Sequence, residues 1–194
     1  IIIVHRDRRS DMDTIENAFD EIRAFGNQLI TLNADALNAE KRPVIISEIE
    51  HQLPKGHQIK VLVHSVAKGA LKPMYSESNS TLTDTDFRIT FDAMALSLYD
   101  WAKALVAAKL FASDTRIISF TSEGNTKALP NYSAVSVAKV ALEALTRSIA
   151  LEFAPIGIKA NCIQAGITMT KSLSMIPGYE QIKANALKRN PNNR

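Results

Sequence analysis

The stretch NYSAVSVAKVALEALTRSIALEFAPIGIKANCI, residues 131–163, decides the fold. Apolar residues recur every three or four positions in its first part, which predicts a long helix over residues 132–153. The β-branched residues that follow predict a buried strand over residues 158–163. A long helix that leads directly into such a strand is typical of a βαβ unit, in which the strands are parallel.

The same alternation extends to the rest of the chain. Strands are predicted over residues 1–5, 28–33, 59–63, 115–120 and 158–163. Asp11 and Asp13 can cap a helix that ends at Gly26, and further helices are predicted over residues 39–53, 86–110, 132–153 and 179–187. In the helix predicted over residues 39–53, the residues expected to face the core are Val44, Ile45, Ile49 and Leu53.

These elements predict one α/β domain over residues 1–194, a doubly wound parallel sheet with helices on both faces. Ligands of such sheets bind beyond the carboxyl ends of the strands. The residues that directly follow each strand are therefore the first to examine for function.

Composition bounds the class of protein. The chain has 194 residues, a formal net charge of +3 and 46% hydrophobic residues, which is average for a globular protein. Cys162 is the only cysteine, so an internal disulfide is excluded and a reducing, cytoplasmic location is predicted. We expect no membrane span, because apolar runs are short, and no nucleic-acid partner, because basic residues are interleaved with acidic ones. No metal site is predicted either.

Tyr132 and Lys139 carry the strongest chemical signal. They are seven residues apart on the long predicted helix, and seven steps of about 100° return to within roughly 20° of the starting direction. A phenol beside an ammonium group has a lowered pKa and can donate a proton to an oxygen that becomes negative. The spacing alone is common, and the alternative is an unrelated tyrosine at a helix start and a solvated lysine.

The order of motifs around this pair resembles the short-chain dehydrogenase/reductase family. A strand leads to the turn TSEG at residues 121–124, then to PNY at 130–132, the helix through Lys139, and NCIQAG at 161–166. Within that family the chain is most similar to the enoyl-acyl-carrier-protein reductases, whose tyrosine and lysine also lie seven apart. Residues 131–163 are especially similar to the NADPH-dependent branch of those enzymes.

The resemblance implies a role for several residues near the reacting atoms. Tyr132 matches the catalytic tyrosine, and Lys139 matches the lysine that holds the nicotinamide ribose. Ser122 stands where the wider family has its active-site serine, so it either assists catalysis or caps a turn. Met94 stands where many relatives have an asparagine that relays protons. A thioether cannot do this, which favours enoyl reduction over ordinary carbonyl reduction.

The resemblance also implies a dinucleotide site, with NADP(H) expected over NAD(H). Guanidinium groups pair well with a 2′-phosphate, and the basic turn after the first predicted strand supplies them. Asp7 complicates this expectation. If the turn is aligned differently with the family pattern, Asp7 takes the place of the acid that accepts the ribose hydroxyls of NAD. His64 is expected to be a supporting residue at a strand end, and the alternative is that it acts as a base. The expected cofactor contacts are Arg6 and Arg8 with Arg9 in reserve, Asp35, Ser65, Ala67, Lys139, Ile167, Thr168 and Thr170.

Two features expected from the resemblance are missing. The seven glycines do not form the Gly-x-x-x-Gly-x-Gly turn that holds the diphosphate in this family. A final strand is missing as well. We therefore expect a chain that lacks its first strand–turn–helix and its last strand, and that by itself binds a dinucleotide poorly.

The resemblance further implies a flap over the substrate at residues 171–186 and a subunit interface. Four apolar residues of this flap would suit contact with an acyl chain, although an ordinary amphipathic helix explains them equally. These four residues are Leu173, Met175, Ile176 and Tyr179. Several basic residues would suit binding of an acidic carrier protein, and the alternative is that they are scattered surface charges. They are Lys183, Lys188, Arg189 and Arg194. A homodimer or homotetramer is expected because the long helix is apolar beyond one buried face, at Val137, Val140, Ala141, Ala144 and Leu145.

The sequence thus predicts an NADPH-dependent reductase acting on the C2–C3 double bond of an enoyl thioester. A carbonyl reductase or alcohol dehydrogenase of the same family, or a member that binds without catalysis, are the alternatives.

Overall fold

A computed structural model describes residues 1–168, 170–174 and 178–191 of the chain. The strands are β1 (Ile2–His5), β2 (Ile30–Asn33), β3 (Ile59–His64), β4 (Phe111–Thr121) and β5 (Ile158–Gln164). The helices are α1 (Met12–Ala24), α2 (Lys41–Gln52), α3 (Asp84–Phe91), α4 (Ser97–Ala107), α5 (Ser133–Glu152), α6 (Lys171–Ser174) and α7 (Tyr179–Arg189). A π-helical turn, Asp92–Leu96, joins α3 to α4.

The chain forms two compact units. The first comprises Ile1–Gln58 with Lys103–Phe111, and the second Ile59–Ala102 with Ala112–Arg194. The prediction of a single domain over residues 1–194 is not tested by this division and stays a prediction.

In the first unit β1 and β2 pair in parallel, with Ile2 opposite Ile30. Helix α1 crosses between them and buries Phe19, whose ring lies edge-on to His5 at 5.2 Å between centroids. Helix α2 buries Ile45, Ile46 and Ile49. Val44 was predicted to face the core and is instead 68% exposed, because the buried face of α2 runs through Ile46.

In the second unit the strand order is β3-β4-β5, and β4 and β5 are parallel, with Thr115 opposite Ile158 and Thr121 opposite Gln164. Helix α5 covers this sheet and buries Ala138 and Leu142 completely. Parallel strands joined by long helices are what the sequence predicted.

One predicted helix differs in detail. Residues 86–110 were predicted as continuous helix, but α3 begins at Asp84 because Thr83 and Asp86 form a capping box. The π-helical turn then widens the helix before α4. Such turns occur frequently at functional sites.

The expected interface helix keeps apolar side chains on its outer side. Val137 and Val140 of α5 are 53% and 49% exposed, and Ala144 is exposed too, whereas Ala141 and Leu145 are half-buried. The homo-oligomer itself stays a prediction.

In the part of the chain that the structure describes, no helix is both long and apolar enough to cross a membrane.

Gly157 makes the turn into β5 and provides a test of this fold. Its φ is +84°, and a Cβ there would overlap the backbone carbonyl oxygen of Ser113. Gly26 has a similar φ of +78°, but a Cβ there meets nothing within 4 Å. We expect Gly26→Ala to lower the free energy of unfolding by about 1–2 kcal/mol, from backbone strain alone. Gly157→Ala should lower it by about 3 kcal/mol or more, because the overlap adds to that strain.

Urea unfolding of both variants measures the difference. Equal losses would contradict the close approach of the turn to β4.

Candidate active site

Tyr132 stands at the junction between a loop and α5. Asn131 before it has a φ of +61°, a left-handed conformation that asparagine tolerates better than most residues. The carbonyl oxygen of Tyr132 accepts the backbone N–H of Ser136 at 2.8 Å, so Tyr132 opens the helix. The turn fixes the backbone from which the phenol extends.

The structure brings Ser122 to the Tyr132 hydroxyl. Ser122 follows β4, and its Oγ lies 3.4 Å from the Oη of Tyr132, a long contact for two hydroxyls. The turn that links them passes directly beside the phenol ring. A Cβ on Gly124 would lie 2.6 Å from Cε1 and 2.8 Å from Cδ1 of Tyr132, so only a glycine fits there without displacing the ring.

Lys139 is held seven residues further along α5. Its Nζ donates to the backbone carbonyl oxygen of Phe120 at 2.7 Å, at the end of β4. Burial lowers the pKa of Lys139, and the nearby Cys162 acts in the opposite direction. Among the described residues this is its one hydrogen bond, which leaves two N–H donors for a ligand.

An apolar cluster supports the Tyr132 ring. It consists of the buried side chains of Met94, Val135 and Ala138, against which Leu71 and Tyr132 pack. Met94 comes from the π-helical turn, so the shape of that turn contributes to the surface beneath the phenol.

His64 lies buried at the end of β3, directly before residues 65–67. Its Nε2 is 2.7 Å from the Oγ of Ser97, the first residue of α4. Burial first, and the charge of Lys139 second, lower the pKa of His64 to about 4. The ring is therefore neutral near pH 7 and unsuited to act as a base there.

Other predicted cofactor residues of the second unit lie exposed after β3 and β5. Ser65, Ala67, Ile167 and Thr168 are all accessible to solvent. Thr170 is exposed and its Oγ1 accepts the backbone N–H of Leu173 at 3.2 Å.

In the first unit Arg6 and Asp35 form an ion pair at 2.9 Å. Asp35 also accepts the backbone N–H of Leu37, and Asp7 is bound by the ring Nδ1 of His5 at 2.7 Å. Arg8 is exposed.

The predicted flap is described only in part. Leu173 is buried rather than facing open space, and Tyr179 is half-buried. Met175, Ile176 and Arg194 lie outside the described residues.

A model of the enoyl-(acyl carrier protein) reductase family matches residues 1–194. The chain belongs to this family. The NADH-dependent enoyl-acyl-carrier-protein reductase of Enterococcus faecalis is 31% identical over 130 residues, which are 67% of this chain and 51% of that protein. The 1-cyclohexenylcarbonyl-CoA reductase of Streptomyces collinus is 24% identical over 172 residues, 89% of this chain and 58% of that protein. The chain thus spans just over half the length of these curated relatives.

Solved structures of reductases confirm the predicted parallel-sheet, Rossmann-like α/β fold. The Bacillus cereus enoyl-acyl carrier protein reductase, determined with NADP+ and indole naphthyridinone, matches 100% of this chain and 72% of its own, with a TM-score of 0.83. The Aquifex aeolicus enzyme matches 98% of this chain and 70% of its own, with a TM-score of 0.79. At 24% and 22% identity, these structures bear on the fold alone.

The predicted preference for NADP(H) over NAD(H) is wrong. The curated relatives from Enterococcus faecalis, Mycolicibacterium smegmatis and Escherichia coli are named as NADH enzymes. The structure offers a physical reason, because Arg6 is already paired with Asp35. A guanidinium that neutralises a carboxylate is a weaker partner for a 2′-phosphate.

Three features of the candidate site were missed from sequence: the Phe120 carbonyl that holds Lys139, Ser97 beside His64, and Gly124 against Tyr132. Only Gly124 had a signal, since a glycine two residues after Ser122 marks a tight turn.

Gly124→Ala tests the packing around Tyr132. We expect the added methyl to displace the phenol ring, since the Cβ would come within 3.0 Å of two ring carbons. Carbon–proton NMR spectra of the four tyrosine rings measure this, with Tyr132→Phe to assign the signal. Gly166→Ala is the control, because a Cβ there meets nothing within 4 Å. An unmoved Tyr132 signal in folded Gly124→Ala would contradict this packing.

Proposed function

We propose that this chain is the catalytic part of a reductase that uses NADH to reduce the C2–C3 double bond of an enoyl thioester. The observation that carries this is the Tyr132 hydroxyl beside Ser122, at the start of the helix that holds the half-buried Lys139 seven residues further along. This arrangement stands in a chain whose whole length matches the reductase family model.

The residues of the second unit fit the nicotinamide end of a dinucleotide. Lys139 has N–H donors to spare for ribose hydroxyls, and it is fixed in place by the Phe120 carbonyl. Ser65 and Ala67 are small and exposed, so a ligand can reach the main chain beside them. We propose these residues, with Ile167, Thr168 and Thr170, as the nicotinamide and diphosphate contacts. The bound nicotinamide supplies the hydride.

Within the first unit we propose acidic residues for the adenosine end. Asp35 would bind the adenine amino group, and Asp7, just after β1, would accept the ribose hydroxyls. Carboxylates at these positions suit NADH, which has no 2′-phosphate to repel them.

Each reacting residue has a distinct role. Hydride addition at C3 would place negative charge on the thioester oxygen, and Tyr132 donates its Oη proton to that oxygen. The enol so formed tautomerises to the saturated thioester by taking up a proton from solvent at C2, and the Tyr132 oxygen is reprotonated from solvent. The ammonium of Lys139 stabilises this charge and orients the ribose. Ser122 donates to, or accepts from, the Tyr132 hydroxyl and so restricts its direction. Met94 packs against the Tyr132 ring, where its side chain excludes water and cannot relay a proton.

We further propose that the thioester is carried by an acidic acyl carrier protein, recognised by basic residues of α7. Lys188 is exposed there and Lys183 is half-buried, whereas Arg189 is paired with Glu123 at 3.1 Å. Coenzyme A is the rival carrier, because the Streptomyces collinus relative is named for a CoA substrate.

Cofactor choice is tested by following NADH and NADPH oxidation with crotonyl thioesters of carrier protein and of coenzyme A. The protein used is the full-length gene product. We expect kcat/KM with NADH to exceed that with NADPH by about tenfold or more, since the proposed contact of the adenosine ribose, Asp7, is a carboxylate that would repel a 2′-phosphate. Preference for NADPH would overturn the assignment of Asp7.

Tyr132→Phe tests the proton donor. Loss of one hydroxyl from general acid catalysis should lower kcat by roughly 10²- to 10⁴-fold, with little change in NADH affinity. Tyr75→Phe is the matched control, because Tyr75 is 79% exposed and binds only Glu77 among the described contacts. Undiminished turnover in Tyr132→Phe would remove Tyr132 from the mechanism.

A further inference from the structure

A polar pair lies in an apolar part of the second unit. His64 and Ser97 are 6% and 3% exposed, and buried apolar residues surround Ser97 along the chain, at Ala93, Met94, Ala95 and Leu98. Burying polar groups is costly unless each finds a partner, and these two find one another. Such pairs fix one arrangement of a core more strictly than apolar contacts do.

The hydrogen bonds of this pair have a defined direction. The Oγ of Ser97 lies 2.7 Å from the carbonyl oxygen of Ala93, which can only accept. The single hydroxyl proton is therefore donated to Ala93, and the Nε2–H of a neutral His64 ring donates to Ser97 over 2.7 Å. His64 thus connects the end of β3 to the first residue after the π-helical turn.

The π-helical turn leads from Ser97 to the phenol. Met94 lies within the turn Asp92–Leu96, and its side chain belongs to the cluster on which Tyr132 packs. Gly69 also touches this cluster, and a Cβ there would lie 3.1 Å from the Met94 methyl carbon. The space around Met94 is therefore tight, and a shift of the turn is passed to the Tyr132 ring.

We propose that His64 is a positioning residue: its hydrogen bond to Ser97 fixes the π-helical turn so that Met94 supports Tyr132 in the orientation needed for proton donation. His64 does not itself exchange a proton with substrate, which agrees with its neutral, buried ring. The expected effect of His64 on kcat rests on the proposed reductase function. Its expected effect on the position of Met94 rests on geometry alone.

Three single variants of the full-length protein, and the double variant His64→Leu/Ser97→Ala, separate positioning from mere stability. His64→Leu removes the donor, Ser97→Ala removes the acceptor, and His64→Gln keeps an N–H close to the Nε2 position. In His64→Leu and in Ser97→Ala we expect kcat with NADH and crotonyl thioester to fall about tenfold, with KM little changed. A tenfold loss corresponds to the free energy of one buried hydrogen bond. The double variant should be no worse than either single one, and His64→Gln should stay within about threefold of wild type.

A second measurement does not depend on activity. Methyl-labelled methionine gives one NMR signal for each methionine of the protein, among them the five of this chain, and Met94→Leu assigns the one of interest. The Met94 methyl signal should move in His64→Leu and Ser97→Ala but not in His64→Gln. If His64→Leu does not fold, Ser97→Ala, which loses a single oxygen, gives the same test.

The outcomes distinguish the two proposals. A wild-type protein without turnover would defeat the proposed function, and the Met94 signal would still decide the role of His64. An unmoved Met94 signal in folded variants, or additive losses in the double variant, would overturn the positioning role.

Discussion

The hydrogen bond from Lys139 to the Phe120 carbonyl is the interaction on which the site depends. Lys139 is half-buried, so its ammonium group loses part of its hydration, and a carbonyl at the end of a strand offsets part of that loss. Because this carbonyl lies at the end of β4 and Lys139 is on α5, the bond fixes the helix against the strand that carries Ser122. Tyr132, at the start of the same helix, is thereby placed beside Ser122.

The ring of Tyr132 is then constrained from two sides. Gly124 lets the turn after β4 lie directly against the phenol, and the Met94 cluster supports it from the π-helical turn. Neither contact is electrostatic. The chemistry assigned to the hydroxyl thus depends on close packing, in which a shift of a few tenths of an ångström is felt by neighbouring groups.

Sequence reasoning succeeded where the physics is local. Alternating strands and helices gave the parallel-sheet class, and helical periodicity predicted the long helix that became α5 (Ser133–Glu152). The shared face of Tyr132 and Lys139 stays a prediction. It failed where distant segments meet: the partners Phe120 and Ser97 have no local pattern. The start of α3 was misplaced by overlooking the Thr83 capping box, and the NADP(H) preference was wrong because a basic turn does not reveal that Arg6 is paired with Asp35.

The central claim is that these residues reduce a carbon–carbon bond and not a ketone. The most direct test gives full-length protein an equal mixture of crotonyl and acetoacetyl thioesters, with NADH in which both hydrogens on the reactive carbon are deuterium. Mass spectrometry then identifies the labelled product. Deuterated butyryl thioester is the predicted result, and deuterated 3-hydroxybutyryl thioester in its place would contradict the account.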